Sequence, residues 1–226
     1  METPLTILYT HHLRGDLDAL PKLYSFLRQL KSYYSSEEVV QVCALDPAKA
    51  PGSFLLLDLG DNCPLDIWHC QVSGGRSTLV VLDGMGFDAA QVEDAAGKQA
   101  KMGDSVRLAL IDAATPRLIE DVLLTADDRR GDQANSQFAP GRPHSLQIRL
   151  TPTDSTRLDG DMLSLAELSG SQQIGAAQLT RSISGWTLTA HAIHELPRRE
   201  LPEPTIVASV EFVLSEARYA QKRQSH

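Results

Sequence analysis

Two short segments, Thr6 to Tyr9 and Phe54 to Leu59, carry apolar residues at successive rather than alternate positions. A strand with one wet face alternates, whereas an unbroken apolar run needs cover on both faces, which parallel strands receive from crossover helices. Between the two runs, Leu20, Leu23, Tyr24, Leu27 and Leu30 recur at intervals of three and four. That spacing predicts a helix with one apolar stripe, beginning near Pro21, where a missing N–H costs nothing. A second helix from Gly75 to Met85, with Leu79, Leu82 and Met85 inward, and a third strand in Phe87 to Val92 extend the pattern. Right-handed crossovers of this kind send the loops after successive strands to one edge of the sheet, so functional residues are sought there.

Downstream the pattern changes to β-type runs: Val106 to Ile111, Leu118 to Leu124, Leu146 to Leu150 and Ile174 to Leu179. Trp186 to Leu196 alternates most cleanly, predicting Trp186, Leu188, Ala190, Ala192 and His194 on one face and Thr187, Thr189, His191 and Ile193 on the other. Antiparallel strands are expected here. The polar stretch 126–143, with Asp127-Asp128-Arg129-Arg130 and Pro140-Gly141-Arg142-Pro143, reads as a mobile loop. Ile206, Val207, Val210, Val213, Leu214 and Ala217 predict a last helix starting at Pro202 to Pro204, one face on the sheet and Glu203, Glu211 and Glu216 toward solvent.

With 226 residues, 42% of them hydrophobic, the chain can bury a sizeable core as one domain over 1–226. A formal net charge of -8 and a pI near 5.3 oppose general affinity for polyanions, so nucleic acid is excluded as a partner class. No apolar run approaches the roughly 20 residues of a membrane span, and no basic stretch with an apolar signal core opens the chain. Three cysteines, Cys43, Cys63 and Cys70, form no disulfide framework and leave at least one thiol free. A reducing compartment, the cytoplasm, is the expectation that follows.

Three segments in fixed order point to a family. Ile7-Leu8-Tyr9-Thr10-His11-His12-Leu13-Arg14-Gly15 leads into a Leu-rich helix; Phe54-Leu55-Leu56-Leu57-Asp58-Leu59-Gly60-Asp61-Asn62 is an apolar strand ending in Gly-Asp; and a helix runs to Met85-Gly86-Phe87-Asp88-Ala89. Together they resemble the opening of the 5'-nucleotidase branch of the calcineurin-like metallophosphoesterases, whose segments read His-Thr-Asn-Asp-x-His-Gly, Gly-Asp and Met-Asn-x-x-Gly-Tyr-Asp-Ala. The resemblance covers roughly the first 95 residues. It implies an α/β, metallophosphoesterase-like fold of layered sheets flanked by helices, with parallel strands in the N-terminal half and more antiparallel ones in the C-terminal half.

The resemblance also implies a dinuclear metal site, and the departures from it fall on the ligands. The family's first Asp falls on His12 and its following His on Arg14, which has no lone pair and brings a fixed positive charge. The bridging aspartate is retained as Asp61. The family's Gly-Asn-His-Glu falls on Glu93-Asp94-Ala95-Ala96, so Asp94 could replace an Asn ligand, but Ala95 removes an imidazole. No Gly-His-x-His follows. The usual two-metal phosphoesterase cannot be assembled from these residues.

What remains is a candidate pocket of His11, His12, Arg14, Asp61, Asn62 and Asp94. A softer single-metal set of His12, Asp61, Cys63, His69 and Cys70 is a candidate for one Zn or Mn ion. Gly75, Arg76 and Ser77 at a helix start are candidates for a small phosphate ligand. His191 and His194, on opposite strand faces, cannot join one site without a bulge. The expectation is a non-catalytic metallophosphoesterase-like protein with a protein partner, acting as a binding, regulatory or structural component. The alternative is a nucleotidase-like phosphoester hydrolase with a one-metal site of His12, Asp61 and Asp94.

Overall fold

Strands β1 (Thr3–Thr10) and β2 (Ser53–Asp58) lie side by side and parallel, with Ile7 opposite Leu55 and Tyr9 opposite Leu57. Helix α1 (Leu20–Tyr34) falls between them in sequence, with Pro21 in its first turn and Leu20, Leu23, Leu27 and Leu30 on its buried face. The computed structural model describes residues 3–35, 53–102, 106–119, 121–126 and 145–224. Cys43 and nearly all of the stretch expected as a mobile loop lie outside the described residues.

Helices α2 (Trp68–Ser73), α3 (Arg76–Gly84) and α4 (Ala95–Met102) follow, interleaved with β3 (Ala89–Gln91) and β4 (Ala109–Ile111). Next come β5 (Arg117–Ile119), β6 (Val122–Thr125), β7 (Leu146–Thr153), β8 (Arg157–Asp159), β9 (Met162–Ala166), β10 (Gln173–Ser182), β11 (Gly185–Glu195) and α5 (Pro204–Gln224). One sheet has the order β11-β10-β1-β2-β3-β4 and the other β5-β6-β7-β9-β8. Strands β1 to β4 pair in parallel, so the run Val106 to Ile111, which ends in β4, is not antiparallel as expected, and β10 and β11 join antiparallel on the other side of β1. In the second sheet the outer pairs are antiparallel, while β6, β7 and β9 run parallel, so the run Leu146 to Leu150 departs from the antiparallel pairing expected of it.

The unbroken apolar runs are explained by what covers each face. Leu8 and Leu56 point to α1, α3 and α5, while Leu5, Ile7, Tyr9, Leu55 and Leu57 point to the second sheet and meet Leu124, Ile148, Leu163 and Leu165. Each such side chain, removed from water, contributes roughly 1.5–3 kcal/mol. With the sheet already covered on that side, α5 lays its buried stripe of Ile206, Val210, Val213 and Ala217 mainly against α1, α2 and α3 rather than on the strands as expected. Glu203 and Glu216 are not merely solvated, since they meet Arg28 at 3.1 Å and Arg76 at 3.8 Å. Among the described residues no helix is long and apolar enough to cross a membrane.

The clean alternation of β11 is broken by a bulge. Gln178 pairs with Ala190 but Leu179 with Leu188, leaving Thr189 as an extra residue that reverses the facing of everything after it. Trp186 and Leu188 therefore face the second sheet, whereas His194 turns to the helix side and bonds the Tyr34 hydroxyl at 2.7 Å. His191 goes the other way and bonds the Tyr9 hydroxyl at 3.0 Å, so the two histidines are on opposite faces.

The fully buried Tyr9 sits directly opposite Gly175 on β10, and a Cβ on Gly175 would fall inside the Tyr9 ring. Glycine here provides room for an aromatic ring rather than an unusual backbone. Gly175→Ala is expected to lower stability by about 1–3 kcal/mol through overpacking. Urea denaturation would show this as a lower midpoint with an unchanged slope.

Candidate functional site

The loops after β1 and β2 are zipped together at the sheet edge by backbone bonds. Leu59 N–H donates to Thr10 O, Arg14 N–H to Asp61 O and Gly15 N–H to Asn62 O, each at 2.8 Å. Three non-glycine residues in these loops take left-handed backbone angles: His12 at φ 54°, Arg14 at φ 46° and Asp61 at φ 49°. Such conformations cost of order 1–3 kcal/mol each and persist only where the surroundings over-determine them. The zipper supplies that determination, and strain of this kind gathers at functional sites.

Beneath the loops lies Asp58, fully buried at the end of β2. Its Oδ2 accepts from the Thr10 hydroxyl at 2.8 Å, and its Oδ1 accepts from Asn62 Nδ2 at 2.9 Å and from Gly60 N–H at 3.1 Å. Burial outweighs these three bonds and pushes its pKa up to about 6. Asn62 also donates to Gln91 O at 3.0 Å, so its side chain supports the loop from below.

Above Asp58, His12 stands between two carboxylates. Its Nδ1 is 2.7 Å from Asp61 Oδ2 and its Nε2 is 2.9 Å from Glu167 Oε1, on the loop after β9. A neutral imidazole has one N–H and could serve only one of them; both contacts are satisfied by the imidazolium. Burial works against the charge, but Asp61 and Glu167 together outweigh it and raise the His12 pKa. His12 in turn holds the exposed Glu167 carboxyl below its ordinary value. The His11 ring lies against His12, centroids 3.7 Å apart. Burial first, then the neighbouring His12 charge, lower the His11 pKa, and its buried Nδ1 has no hydrogen-bond partner. Arg14 Nε lies 3.7 Å from Asp61 Oδ2, and its Nη2 3.8 Å from Asp66. The group borders a cleft of about 420 Å³ between this loop and Ser169 to Ser171.

The structure thus brings His11, His12, Arg14 and Asp61 together, with Asn62 below. Asp94 is not turned to them: it caps α4, accepting from Gly97 N–H at 2.9 Å. Glu167 was not legible in the sequence, where it is one acid after an apolar run; Asp58 was signalled only by a charge inside one. Cys63, His69 and Cys70 form a separate buried cluster. Contrary to expectation, Cys63 and Cys70 are joined by a disulfide, so neither offers a thiolate and the five-residue metal set does not form as a unit. A seven-residue separation let the loop fold back on helix α2, a closure that spacing alone could not reveal.

His69 Nε2–H donates to Gly15 O at 3.1 Å, leaving Nδ1 to accept from the Ser77 hydroxyl at 2.8 Å. Burial lowers the His69 pKa. At the start of α3, Gly75 N–H already donates to Cys70 O and Ser77 N–H to Ser73 Oγ, so these two of the amides expected to bind phosphate are engaged. Arg76 instead borders a groove of about 490 Å³ against α5.

No family model matches the sequence, and no curated protein proved similar to it. Solved structures do. The calcineurin-like phosphoesterase YfkN from Bacillus subtilis superposes with a TM-score of 0.57 at 10% identity, over 98% of this chain and 100% of that one. The NAD nucleotidase NadN from Haemophilus influenzae gives 0.57 at 10% identity, over 99% of this chain and 68% of that one. The sulfate thiohydrolase SoxB from Thermus thermophilus, in complex with glycerol, gives 0.57 at 12% identity, over 94% of this chain and 60% of that one. The chain has the metallophosphoesterase fold, as its opening segments implied. Similarity at this level of identity speaks to the fold alone.

A raised His12 pKa makes its contribution to stability full below the unfolded value near 6.5 and lost as pH rises through the folded value. His12→Gln is therefore expected to destabilise by about 1 kcal/mol near pH 6, discounted for partial exposure, and by less at each higher pH. Thermal unfolding of both proteins across pH 5.5–9 measures this; a penalty that grows with pH would contradict the imidazolium.

Proposed function

We propose that this chain is a non-catalytic metallophosphoesterase-like protein that uses the scaffold for binding, as a regulatory or structural component with a protein partner. The carrying observation is the state of Asp61, the one acidic ligand retained from the family pattern. Its Oδ2 is held 2.7 Å from His12 Nδ1 and 3.7 Å from Arg14 Nε, so two side-chain cations already occupy its field. A pair of divalent ions does not fit this donor set. Arg14 would repel them without being able to ligate, Ala95 offers no imidazole, and Asp94 is spent on capping α4. The acidic net charge favours a protein over a nucleic acid as partner. Phe212 and Tyr219, exposed on one side of α5, are side chains of the kind enriched in protein interfaces.

Calorimetry with Mn²⁺ and an assay with nucleoside monophosphates test the reading. The expected outcome is no stoichiometric binding of two ions and hydrolysis at background, with Asp61→Ala leaving that background unchanged. Binding of two Mn²⁺ per chain, or hydrolysis abolished by Asp61→Ala, would overturn it.

A second reading, a phosphoester hydrolase with one ion, has its own support. Donor atoms of His11, His12 and Glu167 lie within 4.8 Å of one another, beside Asp61. Glu167 takes the place first assigned to Asp94. An ion there would supply Lewis acidity, and it would have to displace one of the two ring protons that His12 directs at Asp61 and Glu167. Elemental analysis of protein purified without chelator, with zinc-dependent thermal stability lost in a His12→Ala, Asp61→Ala double variant, would favour this reading over the first.

A further inference from the structure

The Cys63, His69 and Cys70 cluster is distinct from the group formed by His12, Asp61 and Glu167 and is used by neither reading above. Its three potential donors, Cys63 Sγ, Cys70 Sγ and one His69 ring nitrogen, are all buried and lie within 4.8 Å of one another. The Cα atoms of the two cysteines are 5.4 Å apart, and Cys70 Sγ is 3.6 Å from His69 Nδ1. A tetrahedral ion with S ligands at about 2.3 Å and an N ligand at about 2.0 Å needs its donors about 3.5–3.8 Å apart. The sulfur–nitrogen separation already has that value, and rotation of the two cysteine side chains after reduction supplies the sulfur–sulfur one.

The orientation of His69 is an independent sign. A metal-ligating histidine donates its other ring N–H to a carbonyl or carboxylate, which fixes the tautomer and aims the free lone pair. His69 does this: Nε2–H donates to Gly15 O, and the Nδ1 lone pair points toward Cys70 and Ser77. Gly15 is needed for the approach, because a Cβ there would come within 3.0 Å of Cys70 Sγ and 3.1 Å of His69 Cε1. The Ser77 hydroxyl, now donating to Nδ1, has Cys63 Sγ at 3.3 Å as its alternative acceptor, so an ion could take the nitrogen without orphaning it.

We infer that Cys63, Cys70 and His69 form a redox-gated zinc site: a disulfide when oxidised, and a Cys₂His site for one Zn²⁺ when reduced, with a fourth position for an external oxygen. Reduction by a dithiol transfers two electrons and two protons to the disulfide, giving two thiols here and a disulfide on the reductant. Zn²⁺ then displaces the two thiol protons and binds two thiolates and the neutral imidazole, as soft donors favour. Either state clamps the loop after β2 to helix α2 and, through His69, to Gly15. The Gly15 loop carrying His12 and Arg14 is therefore held in both.

The test uses the full chain carrying His11→Ala and His12→Ala, so that the first loop lends no imidazole. Protein reduced with dithiothreitol, desalted without oxygen and loaded with ZnSO₄ should retain one zinc per chain by elemental analysis, and the oxidised protein none. Cys63→Ser, Cys70→Ser and His69→Gln should each weaken zinc binding by at least about tenfold, while Cys43→Ser should not. Because a variant could unfold, the unsubstituted cluster is also loaded with Co²⁺. A thiolate-to-cobalt charge-transfer band should appear only after reduction, and oxidised glutathione should abolish it and return both thiols to the disulfide. Reduced protein that retains no zinc and shows no band, or zinc binding that survives all three ligand substitutions, would overturn the inference.

Discussion

The buried carboxylate of Asp58 is the interaction on which the loop edge of this molecule depends. It sits at the end of β2, takes the Thr10 hydroxyl of β1 on one oxygen, and takes Gly60 and Asn62 of its own following loop on the other. A fully buried carboxylate is costly, and the rise of its pKa to about 6 shows that three bonds do not wholly offset the loss of water. What the cost secures is geometry: both strand ends and the following loop are tied to one pair of oxygens. The left-handed turns at His12, Arg14 and Asp61 are built on that anchor.

On top of this frame the chain places cations of its own. His12 bridges Asp61 and Glu167 through both ring nitrogens, much as a bound ion would join two acids from different sheets. Arg14 adds a second positive group to the same Asp61 oxygen. The scaffold thus keeps a charge-balanced edge with side chains alone, and the link from β2 to the loop after β9 crosses between the two sheets. His11, stacked on His12 and held toward its neutral form, lets the charge reside on the one ring with two acids beside it.

The cluster of Cys63, His69 and Cys70 supports the same edge from the side. Its disulfide closes the loop after β2 onto α2, and His69 passes that constraint to Gly15 by a single bond to a backbone carbonyl. Gly15 combines a left-handed φ of 71° with a place where an added Cβ would crowd this cluster, so the position is restricted twice, by backbone conformation and by space.

The unbroken apolar runs at Thr6 to Tyr9 and Phe54 to Leu59, with the three-and-four spacing of Leu20 to Leu30, were enough to determine parallel neighbours joined by a crossover helix, because burial on both faces leaves a strand few alternatives. The ordered motifs around Gly15, Asp61 and Ala89 carried the fold, and topology alone brought His12 to Asp61, since parallel strands deliver their loops to one edge. Tertiary structure decided what depends on distant partners. Glu167 reaches His12 across 155 residues, Cys63 finds Cys70 through a loop whose path spacing does not encode, and the bulge at Thr189 reverses the faces of β11 against its clean alternation. Periodicity reports only which side of an element avoids water. Which acid meets which base, and where a strand gains one extra residue, is set by the neighbour it packs against.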